Sequence, residues 1–298
     1  NFGIQSLIKK MEMMNGSEYA EFYNRVAVND NWDPPFTQSE INAFGEGYHW
    51  QDFVFRNGLI HNHDIVVSGG NEKTKFSFSG SLFDENGIIK KSGYERYSVR
   101  SNIMHNISDK LRISSNITLS KLKKDNQSSS GGGRGTSLIS GSLYPFPTVT
   151  PYNEDGSIRD LKTIYHWSPE INNPALYLDM TQSMNQSDKV LANAAFEYEP
   201  IENLIFRIMG GIENTNDRND YYRSKDYIGA EAYASASASQ FRSLLNENTV
   251  SYLKTIGKHT ISGLAGFTFQ DFLSTSLSGS GTGFLSDVQE SYNLGAAA

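Results

Sequence analysis

The sequence contains no cysteine and little proline or tryptophan, with 8 Pro and 3 Trp among its 298 residues. The absence of cysteine excludes disulfides, thiolate metal ligands and cysteine nucleophiles. No stretch approaches the roughly eighteen uninterrupted apolar residues of a transmembrane helix. The net charge of -7, without a cluster of Lys and Arg, argues against a nucleic-acid-binding surface. These absences do not exclude a transmembrane barrel, because barrel strands alternate apolar with polar residues.

The residues that are abundant favour strands and turns. Aromatic residues make up 12% of the chain and glycine occurs 26 times, and Ser and Asn recur throughout. The chain begins at Asn1 without a methionine, stops at Ala298, and shows no charged n-region followed by an apolar h-region. Either the mature start was processed or the sequence is an excerpt of a longer protein, and we favour the excerpt.

From about residue 59 the hydrophobicity alternates with a period of two, in pieces of roughly ten residues. The clearest case is residues 111–120. One face of it carries Leu111, Ile113, Ser115, Ile117 and Leu119, and the other carries Arg112, Ser114, Asn116, Thr118 and Ser120. In residues 189–198 and 204–213 every charge also falls on one face. Lipid does not solvate an ion whereas a lumen does, so this pattern predicts a barrel wall.

Eight segments are predicted as strands by this test. They are residues 60–68, 75–83, 96–104, 111–120, 189–198, 204–213, 242–252 and 260–270, of which 60–68 and 242–252 alternate less cleanly. The predicted fold class is all-β, an antiparallel meander that forms part of a transmembrane β-barrel, with long outer loops and a short helix near the N-terminus.

The predicted connections alternate in length, as the periplasmic turns and outer loops of a barrel do. Tight turns occupy residues 69–72, 107–110, 199–203 and 255–258, and longer excursions lie around 84–87, at 123–187 and at 214–239. The longest excursion combines the flexible stretch 128–133 with two aromatic, structured-looking stretches at 144–147 and 165–167. Ligand recognition usually sits in such loops.

The chain is accordingly divided into three parts. Residues 1–58 are predicted as the end of a first strand and an outer loop with a short helix, in which Ser17 is the N-cap and Asp33-Pro34-Pro35 breaks the helix. Residues 59–272 hold the eight strands and include the long outer loop at about 123–187. Residues 273–298 are predicted as the start of a further outer loop.

No chemical motif supports catalysis, a cofactor or a metal. His61 and His63 are spaced for a shared metal but lack a third ligand. Residues 131–137 superficially resemble a phosphate loop, but they lack its lysine. The oxygen-rich residues 214–220 lack the spacing and glycine of a calcium loop. We therefore predict no enzyme, no cofactor and no metal, and the sequence identifies no substrate-binding residue.

Three consecutive stretches of the chain resemble the SusC/RagA group of TonB-dependent transporters. They are residues 50–58 (WQDFVFRNG), 61–75 (HNHDIVVSGGNEKTK) and 87–97 (GIIKKSGYERY). The match is strong over residues 50–120 and diffuse afterwards. The resemblance implies a 22-strand barrel with an N-terminal plug, in which the eight strands would be the second to the ninth. It also implies import of glycans or peptides across the outer membrane, with a SusD-like lipoprotein lid and with TonB engaged through a part outside this sequence.

Two alternatives remain open from the sequence. In a soluble all-β carbohydrate-binding or adhesin module, the apolar faces would form a sandwich core instead of meeting lipid. A passive porin would share the wall but need neither a plug nor TonB.

Overall fold

The computed structural model describes residues 1–127, 137–165 and 171–298. Its main element is one nine-stranded sheet in which each strand pairs with its neighbours in sequence. Every pairing is antiparallel. The strands are β1 (Phe2–Gln5), β2 (Gly58–Gly70), β3 (Thr74–Asn86), β4 (Gly93–Ser108), β5 (Leu111–Asp125), β6 (Thr181–Ile201), β7 (Leu204–Arg223), β8 (Tyr233–Ile256) and β9 (His259–Thr282). The predicted antiparallel meander is confirmed, and within the described residues the sheet does not close on itself.

The later strands are longer than predicted. Residues 273–282 belong to β9 rather than to an outer loop, and the excursion predicted at 214–239 shrinks to residues 224–232. These extensions keep the alternating backbone, but Ser, Asn and Asp replace the apolar residues on which the prediction depended. Each extension is aligned residue by residue with the neighbouring strand, so antiparallel pairing holds it in the sheet.

The connections alternate in length as predicted. Tight turns at residues 71–73, 109–110, 202–203 and 257–258 lie at one end of the sheet. The longer connections at residues 6–57, 87–92, 126–180 and 224–232 lie at the other end, which we call the loop end. The long connection predicted at 123–187 is therefore shorter by a few residues on each side.

The helices lie in the connections at the loop end. They are α1 (Gly16–Asn29), α2 (Gln38–Phe44), α3 (Trp50–Val54), α4 (Leu138–Gly141) and α5 (Pro174–Met180), with 3₁₀ turns at Leu161–Thr163, Glu290–Tyr292 and Leu294–Ala296. None of the described helices combines the length and apolar character needed to cross a bilayer.

The N-cap of α1 is Asn15 rather than the predicted Ser17. The side chain of Asn15 accepts a hydrogen bond from the Glu18 N–H (2.8 Å), and the Glu18 carboxylate accepts one from the Asn15 N–H (3.0 Å). This reciprocal pair satisfies two N–H groups at the helix start. The Ser17 hydroxyl instead donates to the Ile41 carbonyl (2.6 Å) and so ties α1 to α2. The helix ends at Asn29, before the proline pair that was predicted to break it.

In the ranges that the structure describes, the buried apolar clusters lie among the loops and at the loop end of β7 and β8, and none lies beneath the sheet. One joins Ala20, Phe36 and Ile41, and another joins Val54, Leu138 and Leu178. On the strands, by contrast, large apolar side chains stay exposed, as in Ile65 (72%) and Phe267 (66%). No second sheet packs on them in the described part of the chain, whereas the sandwich alternative requires one.

Candidate functional site

The strand register sorts the side chains onto two faces of opposite character. Ile113 of β5 aligns with Phe196 of β6, which aligns with Ile208 of β7. We call the side of the sheet that bears these three residues the apolar face. One residue along each strand, the register aligns Arg112, Glu197 and Arg207, and we call their side the polar face. Alternate side chains of a strand point to opposite sides, so the register extends the two faces to the neighbouring strands. Strand β8 departs from the division, because Asn248 and Asn246 align with Ile208 and Gly210 on the apolar face.

The polar face carries a row of alternating charges near the tight-turn end, which we call the charge ladder. Glu197 accepts from Arg112 on one side (3.4 Å) and pairs with Arg207 on the other (3.4 Å). Arg207 also reaches Glu247 on β8 (3.2 Å). The four side chains retain 28–49% exposure, so water screens each pair and each contributes at most about 1 kcal/mol. A hydrated surface accommodates this arrangement, whereas lipid does not.

A cavity of about 530 Å³ lies among the connections at the loop end. We call it the loop pocket. Its walls come from residues 10–15, Tyr19, Glu46, residues 48–52, and residues 142–145 with Pro147. It therefore joins the connection before β2 to the connection after β5. The lining combines aromatic rings, methionines, prolines, two amides and charged groups, which is a mixture that binds organic ligands.

Direct hydrogen bonds hold the two connections together at this pocket. The Trp50 indole N–H donates to the Phe146 carbonyl (2.8 Å), and the Tyr48 N–H donates to the Pro147 carbonyl (2.7 Å). Gly47 has φ of +70°, and a Cβ there would lie 2.4 Å from the Pro147 carbonyl oxygen. Only glycine permits this approach without displacing one of the two chains. This wall of the pocket is therefore fixed by the backbone.

Residues 6–14, which we call the strap, form the opposite wall. The Gln51 side chain donates to the Met11 carbonyl (2.8 Å) and accepts from the Met11 N–H (2.8 Å). Lys10 forms an ion pair with Asp52. Burial and the nearby Asp52 carboxylate raise the pKa of Tyr48, so its hydroxyl remains a neutral hydrogen-bond donor at neutral pH.

A second group of aromatic residues lies at the loop end of the polar face. The Arg223 guanidinium lies over the rings of Tyr227 (5.5 Å) and Tyr233 (5.8 Å), and its Nε donates to the Glu231 carbonyl (2.9 Å). Tyr221 packs against Tyr233 with ring centroids 5.9 Å apart. Stacking of a cation on aromatic rings orders the rim of the sheet here.

Residues 283–298 fold back over the loop end of β7–β9 and are fastened by Asp287. Its carboxylate accepts from the Tyr222 hydroxyl, the Ser224 hydroxyl (2.7 Å) and the Lys225 N–H (3.0 Å). Burial opposes ionisation of Asp287, but these three donors outweigh it and hold the pKa of the carboxyl below its ordinary value.

The residues weighed from the sequence as metal ligands do not form metal sites. His61 and His63 share the apolar face with Phe2, and their ring centroids lie 6.4 Å apart. Across the described ranges, no three His, Asp or Glu side chains are grouped to hold an ion. Residues 214–220 belong to strand β7 rather than to a polar loop, so their side chains alternate between faces and do not converge. Three sequence predictions fall outside the described residues. They concern residues 131–136 of the phosphate-loop-like segment, the stretch 128–133 that was predicted to be flexible, and the aromatic pair 166–167.

The loop pocket and the charge ladder were not identified from the sequence. The charge ladder joins residues of four strands, and the loop pocket joins segments about a hundred residues apart. Neither site therefore produces a short motif in the sequence. The aromatic stretch 144–147 was the one available signal, and it does contribute to the pocket.

Comparisons with known proteins find similarity to receptors and transporters. No protein-family profile matches it. It is 26% identical over 278 residues to the TonB-dependent receptor P3 of Formosa agariphila, which covers 91% of this chain and 26% of that receptor. It is also 26% identical over 149 residues to the TonB-dependent receptor SusC of Bacteroides thetaiotaomicron, covering 49% of this chain and 14% of SusC. The chain thus spans about a quarter of the length of the first of these curated relatives.

Solved structures support the fold. The RagAB peptide transporter matches the whole chain with a TM-score of 0.80 and 20% identity, over 36% of the matched chain. The RagAB peptide importer in its closed-closed state matches 96% of this chain with a TM-score of 0.75 and 21% identity, over 35% of its own length. The open nine-stranded sheet therefore corresponds to a stretch of a larger barrel.

Proposed function

We propose that the chain is a stretch of a SusC/RagA-type TonB-dependent receptor, and that it forms wall and outer loops of an outer-membrane transporter that imports oligosaccharides or peptides. The observation that carries this proposal is the division of the sheet into an apolar face and a polar face. In the proposal the apolar face contacts lipid, the polar face lines the lumen, and the loop end faces outward.

The length of the apolar face supports this placement. A strand tilted by about 40° advances about 2.5 Å along the membrane normal per residue, so a band about 25 Å tall needs about ten residues. On β7 the apolar face runs from Leu204, next to a tight turn, to Ile212, and Asn214 is the first strongly polar residue on it. On β6 it runs from Tyr198 to Val190, and the next residue on that face is Asp188. Both strands become polar at the height at which a bilayer would end.

The proposed partners follow from the same placement. We propose that a SusD-like surface lipoprotein covers the loop end, where the loop pocket and the tyrosines around Arg223 lie. Energy would come from the TonB complex, which would engage a part of the receptor outside this sequence. The relatives support this assignment, since they are TonB-dependent receptors and RagAB complexes.

The test is deletion of the full-length gene that contains this chain, followed by uptake of labelled oligosaccharides and peptides. We expect the deletion strain to lose uptake of one of the two classes, and plasmid-borne wild type to restore it. We also expect the tagged full-length product in the outer-membrane fraction. Unchanged uptake of both classes, or recovery of the product in a soluble fraction without detergent, would overturn the proposal.

A further inference from the structure

The strap is attached to the rest of the chain at few points. Its ends are fixed, because Gln5 belongs to β1 and Asn15 caps α1. Between them, and within the part of the chain that the structure describes, the hydrogen bonds and ion pairs of residues 6–14 to other segments are those with Gln51 and Asp52. The strap can therefore leave the pocket without breaking a helix or a strand.

The apolar side chains of the strap do not hold it in place. Ile8 is fully exposed, Met11 is 62% exposed and Met13 is 52% exposed. Burial of such side chains is the usual source of attachment for an extended segment, and here most of it is missing. The strap consequently depends on its polar contacts.

Those polar contacts have the geometry of peptide recognition. Gln51 is 9% exposed, and its amide pairs with both the N–H and the carbonyl of Met11. An amide side chain has the same donor and acceptor as a peptide unit, so this contact recognises a backbone rather than a particular side chain. Asp52, the next residue, binds the ammonium group of Lys10, which directly precedes Met11. Together the two side chains recognise a basic residue followed by any residue with a free N–H.

The cavity leaves room for more than the strap. About 530 Å³ remains open beside residues 10–14, lined on the far side by the Tyr48 and Tyr144 rings and by Pro147. We propose that the loop pocket is a binding groove for an extended peptide and that the strap occupies its backbone-recognition position in cis. An incoming peptide with Lys or Arg displaces the strap, pairs its backbone with Gln51 and places its cation on Asp52. The inference rests on the proposed import function and narrows the ligand to a peptide.

The experiment follows the strap in the full-length receptor, with Ile8→Cys carrying a nitroxide label in a cysteine-free background. The side chain of Ile8 is fully exposed, so the label reports motion without replacing a buried contact. The probe is the capped peptide Lys-Met-Glu-Met-Met, which is the sequence of residues 10–14. We expect it to make the label more mobile in a saturable manner. A peptide with an N-methylated first methionine lacks the N–H that Gln51 accepts from, and should bind about tenfold more weakly.

Substitution of Gln51 tests directly whether its contact with Met11 holds the strap in place. Gln51→Ala should mobilise the label without peptide, whereas Gln38→Ala, on the exposed start of α2, should not. A label that ignores the peptide at millimolar concentration in the otherwise wild-type receptor would overturn the proposal, even if Gln51→Ala failed to fold. Release by an oligosaccharide and not by the peptide would also overturn it. If the receptor imports normally but the label on its strap never responds to the peptide, this inference alone is disproved. The proposed function is tested separately, by uptake in the deletion strain.

Discussion

A single arginine placed on either face of β7 gives a sharp test of which face meets lipid. Ile208 lies on the apolar face, aligned with Phe196, and Met209 lies on the polar face, aligned with Glu247. The two residues are consecutive and at nearly the same height above the tight turn at 202–203. Ile208→Arg and Met209→Arg therefore add the same charge and nearly the same volume in two different environments.

The expected losses of stability in the two variants differ by at least about 1 kcal/mol. Ile208 is five residues above the turn, or about 12 Å, which is close to the middle of a band about 25 Å tall. An arginine facing lipid at that depth costs about 2–4 kcal/mol. An arginine at position 209 faces Glu247 in a hydrated lumen and should change the stability by less than about 1 kcal/mol.

The assay is equilibrium unfolding of the full-length receptor in lipid vesicles by a denaturant, with each variant compared to wild type. We expect the unfolding midpoint of Ile208→Arg to fall well below that of Met209→Arg. Equal destabilisation by the two variants, or a larger effect at position 209, would refute the assignment of the faces.

Three further predictions concern the polar contacts and the loops. Glu197→Gln removes the carboxylate shared by two arginines in the charge ladder and should lower the free energy of unfolding by about 0.5–2 kcal/mol, with the loss shrinking in molar salt. Asp287→Asn should release residues 283–298, as measured by amide hydrogen exchange. Because the folded pKa of Asp287 is depressed, its contribution in wild type is fully present above the ordinary value of 3.8 and is lost as the pH falls through the lower folded pKa. Gly47→Ala should separate the two connections at the loop pocket and raise exchange at Tyr48, whereas Gly45→Ala, whose Cβ would meet open space, should do so less.

The sheet was predictable because each strand and each tight turn shows its own pattern within a few consecutive residues. Alternation in residues 111–120 or 204–213 indicates directly that one side of the strand is uncharged. Gly, Asn, Asp and Pro indicate the tight turns. The ends of the long strands were missed for the same reason. In residues 274–280 Ser alternates with Thr, Leu and Gly, so the pairing of β9 with β8 decides the structure rather than hydrophobicity.

The candidate sites were beyond local reasoning. Arg112 and Glu247 are separated by more than a hundred residues, and only the register of four strands brings them into one row. The contact of Trp50 with Phe146 likewise depends on where two long connections meet. The N-cap of α1 was missed by two positions, because Asn15 and Ser17 are both good caps and Glu18 lies three residues after Asn15, which completes a capping box.

Cysteine labelling along one strand reports whether the apolar face meets lipid and the polar face meets water. Single cysteines at each position from 204 to 213 of β7 are introduced into the full-length receptor in a cysteine-free background and exposed to a membrane-impermeant maleimide in intact outer membranes. We predict labelling at the odd positions, which share the face of Arg207, and protection at the even positions, which share the face of Ile208. Labelling at every position, or protection at the odd positions, would show that the apolar face does not meet lipid.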